Sequence, residues 1–367
     1  MNRAKIQSSV THYTLRLDKA KESFKRKGID GFLVTDIYNI RYLTGFSGSS
    51  ALLLITKKEN IFVTDFRYKE QAEREIEEGW DILIEKRRMI KAIKDLSRRI
   101  GIKELGFESS VSYDFFRKLS RDLNLKAFKG LVERLREIKD SHEMRSIREA
   151  IRRAETAFLE VRPYIKQGVR ERSIALRLEE KLKKKGCRHL PFEIIVASGP
   201  NSAMPHAKPT ERKFMNSDLI IVDWGGEADG YFSDMTRTLL IDKGNDINKK
   251  KDIYQIVLEA NKRAISLVSP GIKSQEVDSS ARDFIKKAGY GEFFGHGTGH
   301  GVGLQVHELP RITQHSREIM KENMVFTIEP GIYLSGVGGV RIEDMVMVTP
   351  DGFNALTTLP KKLDIIR

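Results

Sequence analysis

Residues 219–240 read LIIVDWGGEADGYFSDMTRTLL. An apolar, β-branched run ends on an acid, Asp223, and glycines and Asp229-Gly230 follow. A second β-prone run then begins beside another acid, Asp234. Two such runs around a short Gly/Asp turn read as a β-hairpin. A turn between Ala228 and Asp229 sets Asp223 directly opposite Asp234, with Cβ atoms about 4.5–5.5 Å apart. A turn one residue later, at Asp229-Gly230, makes the two acids diagonal neighbours.

The same arrangement returns near the C-terminus. The runs MVFTIEPGIY (324–333) and VRIEDMVMV (340–348) flank the loop SGVGG and carry Glu329 and Glu343. Each hairpin follows a helix pair. One helix ends near Lys166, before Gly168-Val169, and the next runs to Gly186. A later helix, from about residue 252 to Ser269, precedes Gly271-Ile272, and its follower runs to Gly289. The glycines recur at one fixed interval, so the unit helix, helix, hairpin occurs twice. Two such halves can face each other across a pseudo-twofold axis, with the hairpin strands as inner wall.

Carboxylates set side by side in apolar strands repel, and burial costs several kcal/mol per charge unless it is offset. A shared proton is one remedy. Metal is another: four carboxylates balance two divalent cations, and a hydroxide bridging ions about 3.5–4 Å apart would be the nucleophile of a two-metal hydrolase. Between the hairpins lies FGHGTGHGVGLQVHE (294–308), with His296, His300 and His307 among five glycines. His296 and His300 have the spacing of a helical zinc pair. The intervening glycines each cost a helix roughly 1 kcal/mol, so the stretch reads as a loop or bent strand passing close to something.

The 367 residues suffice for two domains, and 40% hydrophobic with 32% charged residues describe a soluble globular chain. No run of about 18 apolar residues is present, so no membrane span is expected. MNRAKIQSSVTHY lacks a signal-peptide core. The single cysteine, Cys187, fits a reducing cytoplasm. The net charge of +14 raises nucleic-acid binding, but Lys and Arg are mixed with Glu along helices and no aromatic-interleaved basic motif occurs. A solvated charged surface is the reading, with neither nucleic acid nor membrane as partner.

Residues 12–128 alternate patterns: helix 13–27, strands 31–35, 51–56 and 61–65, helix 67–78, strand 81–85, helix near 88–100, strand 104–108 and helix 112–122. This predicts an α/β domain with a mixed sheet. GFSGSS lacks the lysine of a phosphate loop. Asp140 with Glu143 forms a capping-box signature opening a helix over 141–162. The boundary is placed near 130: an N-terminal α/β domain over 1–130 and an α+β catalytic domain with the internal repeat over 131–367.

The ordered set VDWGG, SDMTRT, HGTGHGVGL, TIEPG and RIED resembles the pita-bread metallopeptidases, which include aminopeptidase P, prolidase, methionine aminopeptidase and the metal-free creatinases. The resemblance covers about residues 140–360. It implies five metal ligands: Asp223, Asp234, His300, Glu329 and Glu343. Asp234 and Glu343 would bridge both ions, Asp223 would complete one site, and His300 with Glu329 the other. It further implies that His206 and His307 hold substrate and the tetrahedral intermediate, that Arg341 is an active-site residue, and that His296 lies near the substrate pocket. Carboxylate-rich ligation suits Mn²⁺, with Zn²⁺, Co²⁺ and Fe²⁺ as alternatives.

The N-terminal domain resembles the creatinase-like module of aminopeptidase P and prolidase, which methionine aminopeptidases lack. GFSGSS and TDFRY look closer to aminopeptidase P. The expected activity is therefore release of an N-terminal residue from peptides whose second residue is proline, by a homodimer. The alternative is prolidase, restricted to Xaa-Pro dipeptides, where Arg311 would hold the free carboxylate; similar arginines also occur in aminopeptidase P, so at the level of sequence Arg311 does not settle the choice. A non-catalytic binding module is a third reading, which retention of all five ligands disfavours.

Overall fold

The structure, a computed structural model, describes residues 11–86, 88–242 and 247–366. The N-terminal stretch read above as lacking a leader core lies, up to Val10, outside the described residues. The chain forms two compact units, Met1–Arg136 and Glu137–Arg367.

Among its described residues the first unit holds six strands: β1 (Gly31–Val34), β2 (Ala51–Thr56), β3 (Asn60–Asp65), β4 (Asp81–Glu85), β5 (Leu105–Glu108) and β6 (Leu125–Phe128). They form one sheet in the order β4-β3-β2-β1-β5-β6. Pairings β1–β2 and β2–β3 are antiparallel, while β3–β4, β1–β5 and β5–β6 are parallel, so the sheet is mixed as the alternating pattern predicted. Helices α1 (His12–Lys25), α2 (Ile37–Thr44), α3 (Lys69–Glu75), α4 (Met89–Ile100), α5 (Tyr113–Ser120) and the single turn α6 (Glu133–Arg136) complete it. Three elements, α2, β6 and the single turn α6, escaped the sequence reading. The α2 sequence IYNIRYLT is rich in strand-forming residues, and its helix rests on the Asp36 cap, whose side chain accepts from the Tyr38 and Asn39 amides. The β6 sequence LKAF is a short edge strand with two exposed residues. The helix expected over 67–78 is shorter, a 3₁₀ turn at Phe66–Tyr68 leading into α3.

In the second unit α7 (Ser141–Val161) opens on the Asp140–Glu143 capping box, with both reciprocal bonds formed. The pair α7–α8 (Glu171–Lys184) is followed by β7 (Ile195–Ser198), β8 (Leu219–Trp224), β9 (Glu227–Ala228), β10 (Tyr231–Phe232) and β11 (Met235–Ile241). The pair α9 (Ile247–Ser266) and α10 (Ser274–Lys287) is followed by β12 (Gly299–Gly301), β13 (Glu308–Ile312), β14 (Val325–Ile328), β15 (Gly331–Leu334), β16 (Gly338–Arg341), β17 (Asp344–Thr349), β18 (Gly352–Ala355) and β19 (Asp364–Ile366). The main sheets run β19-β11-β8-β7 and β13-β12-β14-β17-β18. The repeat extends to the helix entries, where isolated bridges join Arg170 to Lys213 and Lys273 to Ile319.

The β8–β11 register pairs Thr236 with Asp223 and Met235 with Trp224, while Tyr231 faces Ala228. The turn therefore falls at Asp229-Gly230, both with positive φ (50° and 77°), as in a type I′ hairpin. Asp223 and Asp234 are diagonal rather than directly opposed. In the second hairpin Ile328 pairs with Asp344 and Gly331 with Arg341. Glu329 and Glu343 thus fall at matching positions where the ladder is interrupted. A bridge between Thr236 and Glu343 joins the two hairpins.

Candidate metal centre

The four acids converge because each sits at the end of a buried strand. Asp223 lies within β8, Asp234 just before β11, Glu329 just after β14 and Glu343 just before β17. Asp223, Asp234 and Glu343 are buried, and Glu329 opens partly to the cavity. Ligand atoms of Asp234, His300 and Glu343 all lie within 4.8 Å of one another. His300 Nε2 is 3.6 Å from Asp234 Oδ2 and 3.4 Å from Glu329 Oε1. Its Nδ1 donates to the Gly301 carbonyl at 3.2 Å. That bond fixes the tautomer and leaves the Nε2 lone pair facing the carboxylates.

The glycines around His300 are explained by close approach of backbone. A Cβ on Gly299 would lie 1.8 Å from the Thr327 carbonyl oxygen, and one on Gly301 2.0 Å from that of Leu309. The short strand β12 is squeezed between β13 and β14, and only residues without side chains fit on either side of His300.

The electrostatics are those of a negative cluster out of water. Burial pushes the Asp234 carboxyl well above the ordinary carboxylate range, and the charges of Glu343, Asp223 and Glu329 add to it. Glu343 is raised well above its usual range by burial and by Glu329 and Asp223. Burial takes Glu329 to about 7. Asp223 is raised by burial against the opposing pull of Arg341. His300 is pushed down to about 3 by burial and by His307 beside it, so it is a neutral imidazole at pH 7. Burial and mutual repulsion thus favour the neutral form of each carboxyl, and a nearby positive charge would reverse that preference.

Arg341 and its surroundings brace this cluster. The buried guanidinium donates to Asp223 Oδ2 (2.6 Å), the Tyr333 hydroxyl (2.8 Å), Thr236 Oγ1 (3.2 Å) and the Pro205 carbonyl (3.2 Å). With its oxygen accepting from Arg341, Tyr333 donates to His296 Nε2 at 2.9 Å, and His296 Nδ1 donates to the Gly297 carbonyl at 2.8 Å. Both His296 nitrogens are thereby engaged within the protein. Burial holds its pKa down at about 4. Tyr333 was not legible from the sequence, where it reads as one more aromatic residue in a strand.

Asn261, on α9, was missed as well. Its buried amide donates to the carbonyls of Ile328 (3.0 Å) and Ile342 (3.2 Å), the residues preceding Glu329 and Glu343. On α10, buried Asp278 accepts from the Thr298 amide and hydroxyl, and Thr298 in turn accepts the Glu329 amide at 2.7 Å.

A cavity of about 400 Å³ opens over the cluster. Its wall contains all ten residues singled out from the sequence: Asp223, Asp234, His300, Glu329, Glu343, His206, His307, His296, Arg311 and Arg341. His206, His307 and Arg311 are exposed at its rim. The His307 ring centre is 4.3 Å from that of His300. Arg311 is the cross-strand partner of His300.

Two helix–helix–hairpin halves enclosing a buried acid–imidazole cluster define a metal-dependent hydrolase. The chain belongs to metallopeptidase family M24, whose model matches residues 145–350, and a creatinase/prolidase N-terminal domain matches residues 16–138. An Xaa-Pro dipeptidase structure from Bacillus anthracis is similar over 96% of this chain and 100% of that one, at 38% identity and TM-score 0.92. An X-Pro aminopeptidase structure from Thermotoga maritima is similar over 95% and 99%, at 37% identity and TM-score 0.86. The Xaa-Pro dipeptidase of Pyrococcus horikoshii is 37% identical over 95% of this chain and 98% of its own. No helix among the described residues is long and apolar enough to cross a membrane.

Proposed function

We propose that this metallopeptidase is an Xaa-Pro dipeptidase rather than the aminopeptidase P favoured by the motifs of its N-terminal domain. The observation that carries this reading is Arg311. Arg311 lines the cavity and pairs with His300 in the β-ladder, and its guanidinium has no hydrogen-bond or carboxylate partner among the described residues. In an Xaa-Pro dipeptide the terminal carboxylate is one residue from the scissile bond, about 3.5 Å of chain. A cation beside the cluster suits an anion at that distance. In a longer peptide that place is taken by a neutral amide. The two dipeptidase relatives support the same choice, while the Thermotoga aminopeptidase supports the alternative.

The residues present fit two divalent cations. Four carboxylates balance their charge, one neutral imidazole adds a nitrogen donor, and Asp223 Oδ1 is buried without a hydrogen-bond partner. Asp223, Asp234, His300, Glu329 and Glu343 would hold the ions, with Mn²⁺ favoured by the oxygen-rich set. Bound there, such ions supply a Lewis acid for the scissile carbonyl and an activated water. The side chains do the rest. His206 and His307 stand at the rim, where an N–H can donate to the oxyanion as it develops. Burial and the nearby Arg311 charge lower the His307 pKa, which favours its neutral form at pH 7. Arg341 keeps Asp223 oriented, and Arg311 fixes the far end of the substrate. A proline nitrogen has no N–H to offer, and none of these contacts requires one.

The deciding experiment compares Ala-Pro with Ala-Pro-Ala in Mn²⁺. Cleavage of the dipeptide, with a KM raised more than ten-fold in Arg311→Ala, supports the proposal. Preference for the tripeptide makes the enzyme an aminopeptidase P.

A further inference from the structure

Glu171, the first residue of α8, is fully buried, and among the described residues no cation pairs with it. Hydrogen bonds alone compensate its carboxylate. Oε1 accepts from the Ser198 amide (2.7 Å), the Ser198 hydroxyl (2.7 Å) and Asn201 Nδ2 (3.1 Å). Oε2 accepts from the Thr210 amide (3.0 Å), the Thr210 hydroxyl (2.6 Å) and Asn201 Nδ2 (3.1 Å). Ser198 ends β7 and Thr210 lies twelve positions on, so one carboxylate closes the base of the loop that carries His206.

The tip of that loop is fastened separately. Gly339 donates to Ser202 Oγ at 2.8 Å, and Arg341 donates to the Pro205 carbonyl. His206 follows Pro205 and makes no hydrogen bond of its own among the described residues. His206 lines the cavity, and its placement follows from the backbone, which is held at the loop base by Glu171, by the Arg172 amide on the Thr210 carbonyl (3.0 Å) and by Arg212 on Ser198 Oγ (2.6 Å), and at the tip by Gly339 and Arg341.

We infer that Glu171 is a positioning residue for His206, setting the loop 198–210 at the height where the imidazole meets substrate. The inference rests on the proposed function in one respect, that His206 touches the peptide. A merely structural carboxylate would stabilise the fold without regard to which side chain the loop presents. A positioning carboxylate makes its contribution to catalysis only through His206.

The test uses the metal-loaded full chain and two substitutions, Glu171→Gln and Thr210→Val, each alone and combined with His206→Ala. Glu171→Gln turns an N–H toward donors that need an acceptor, so the loop base opens. Hydrogen exchange of peptides spanning 199–209 then accelerates. With Ala-Pro, kcat/KM falls about ten- to hundred-fold, the scale of a small misplacement of a catalytic group. In the His206→Ala background the same substitution changes kcat/KM less than two-fold, because the residue it acts through is gone. Thr210→Val gives the same pattern at smaller size and decides the matter if Glu171→Gln does not fold. An undiminished penalty in the His206→Ala background, or unchanged exchange over 199–209, overturns the inference. If the wild-type chain cleaves no Xaa-Pro peptide, the proposed function falls instead, and the exchange measurement alone decides the tether.

Discussion

Arg341 Nη2 donates to Asp223 Oδ2 at 2.6 Å while Asp223 Oδ1, equally buried, has no hydrogen-bond partner. One oxygen is committed to the protein and the other is left for a cation. Arg341→Met strands a buried carboxylate, and metal-free protein loses about 3–5 kcal/mol of stability, as when a buried pair is broken. Arg341→Met with Asp223→Asn recovers most of that loss. Denaturant unfolding of the four metal-free proteins measures the coupling, and simple additivity contradicts it.

Ligand and rim residues separate by metal content. Asp234→Ala removes both bound metal and activity, because Asp234 and Glu343 approach His300 as one cluster. His307→Ala keeps most of its metal while activity falls about a hundred-fold or more, the size of a lost oxyanion donor. Elemental analysis beside kcat checks both. Full activity in the His307 variant removes that residue from the mechanism.

Metal uptake releases protons. Burial raises Glu329 to about 7, and burial with the neighbouring carboxylates holds Asp234 and Glu343 well above the ordinary carboxylate range. These groups are protonated on the acid side, and a cation must displace those protons. Affinity for Mn²⁺ therefore weakens as pH falls from 8 to 6. Calorimetry in buffers of different ionisation enthalpy reads the proton count directly. A count of zero at pH 7 contradicts the titration assigned to Glu329.

Asn261→Leu tests the clamp behind the second hairpin. Without the amide, the carbonyls of Ile328 and Ile342 lose their shared donor where the ladder is interrupted. Metal affinity falls about 10–100-fold, as for other groups that orient ligands from behind, while the fold, read by circular dichroism, is retained. Unchanged affinity makes the clamp a packing feature only.

Much of the site was legible because its chemistry is tied to strand ends. An acid closing an apolar run is conspicuous, and two hairpins carrying such acids after matching helix pairs define the pseudo-twofold scaffold. The His-rich loop was legible by its glycines, whose cause became visible only with the Thr327 and Leu309 carbonyls against β12. Tyr333, Asn261, Asp278 and Glu171 left no comparable signal. Each is a single polar residue in an ordinary helix or strand, and the contacts that tie it to the site, such as Asn261 on Ile328, Asp278 on Thr298, Tyr333 on His296 and Glu171 on Thr210, reach residues 20 or more positions away.

The sequence by itself determined the two-unit organisation, the repeat and the set of acids and imidazoles, because periodicity, turn residues and charge in apolar strands are local properties of the chain. It left open whether Asp223 faces Asp234 directly or diagonally. That was decided in three dimensions by the Asp229-Gly230 turn, since a one-residue shift of the turn moves the cross-strand partner by two. Tertiary structure also decided what Arg341 and His296 do. Both line the cavity, yet their polar atoms are bound to Asp223, Tyr333, Thr236 and backbone carbonyls. Whether a polar side chain meets a ligand or its own neighbours depends on which distant groups the fold sets within about 3 Å of it, and no spacing along the chain encodes that distance.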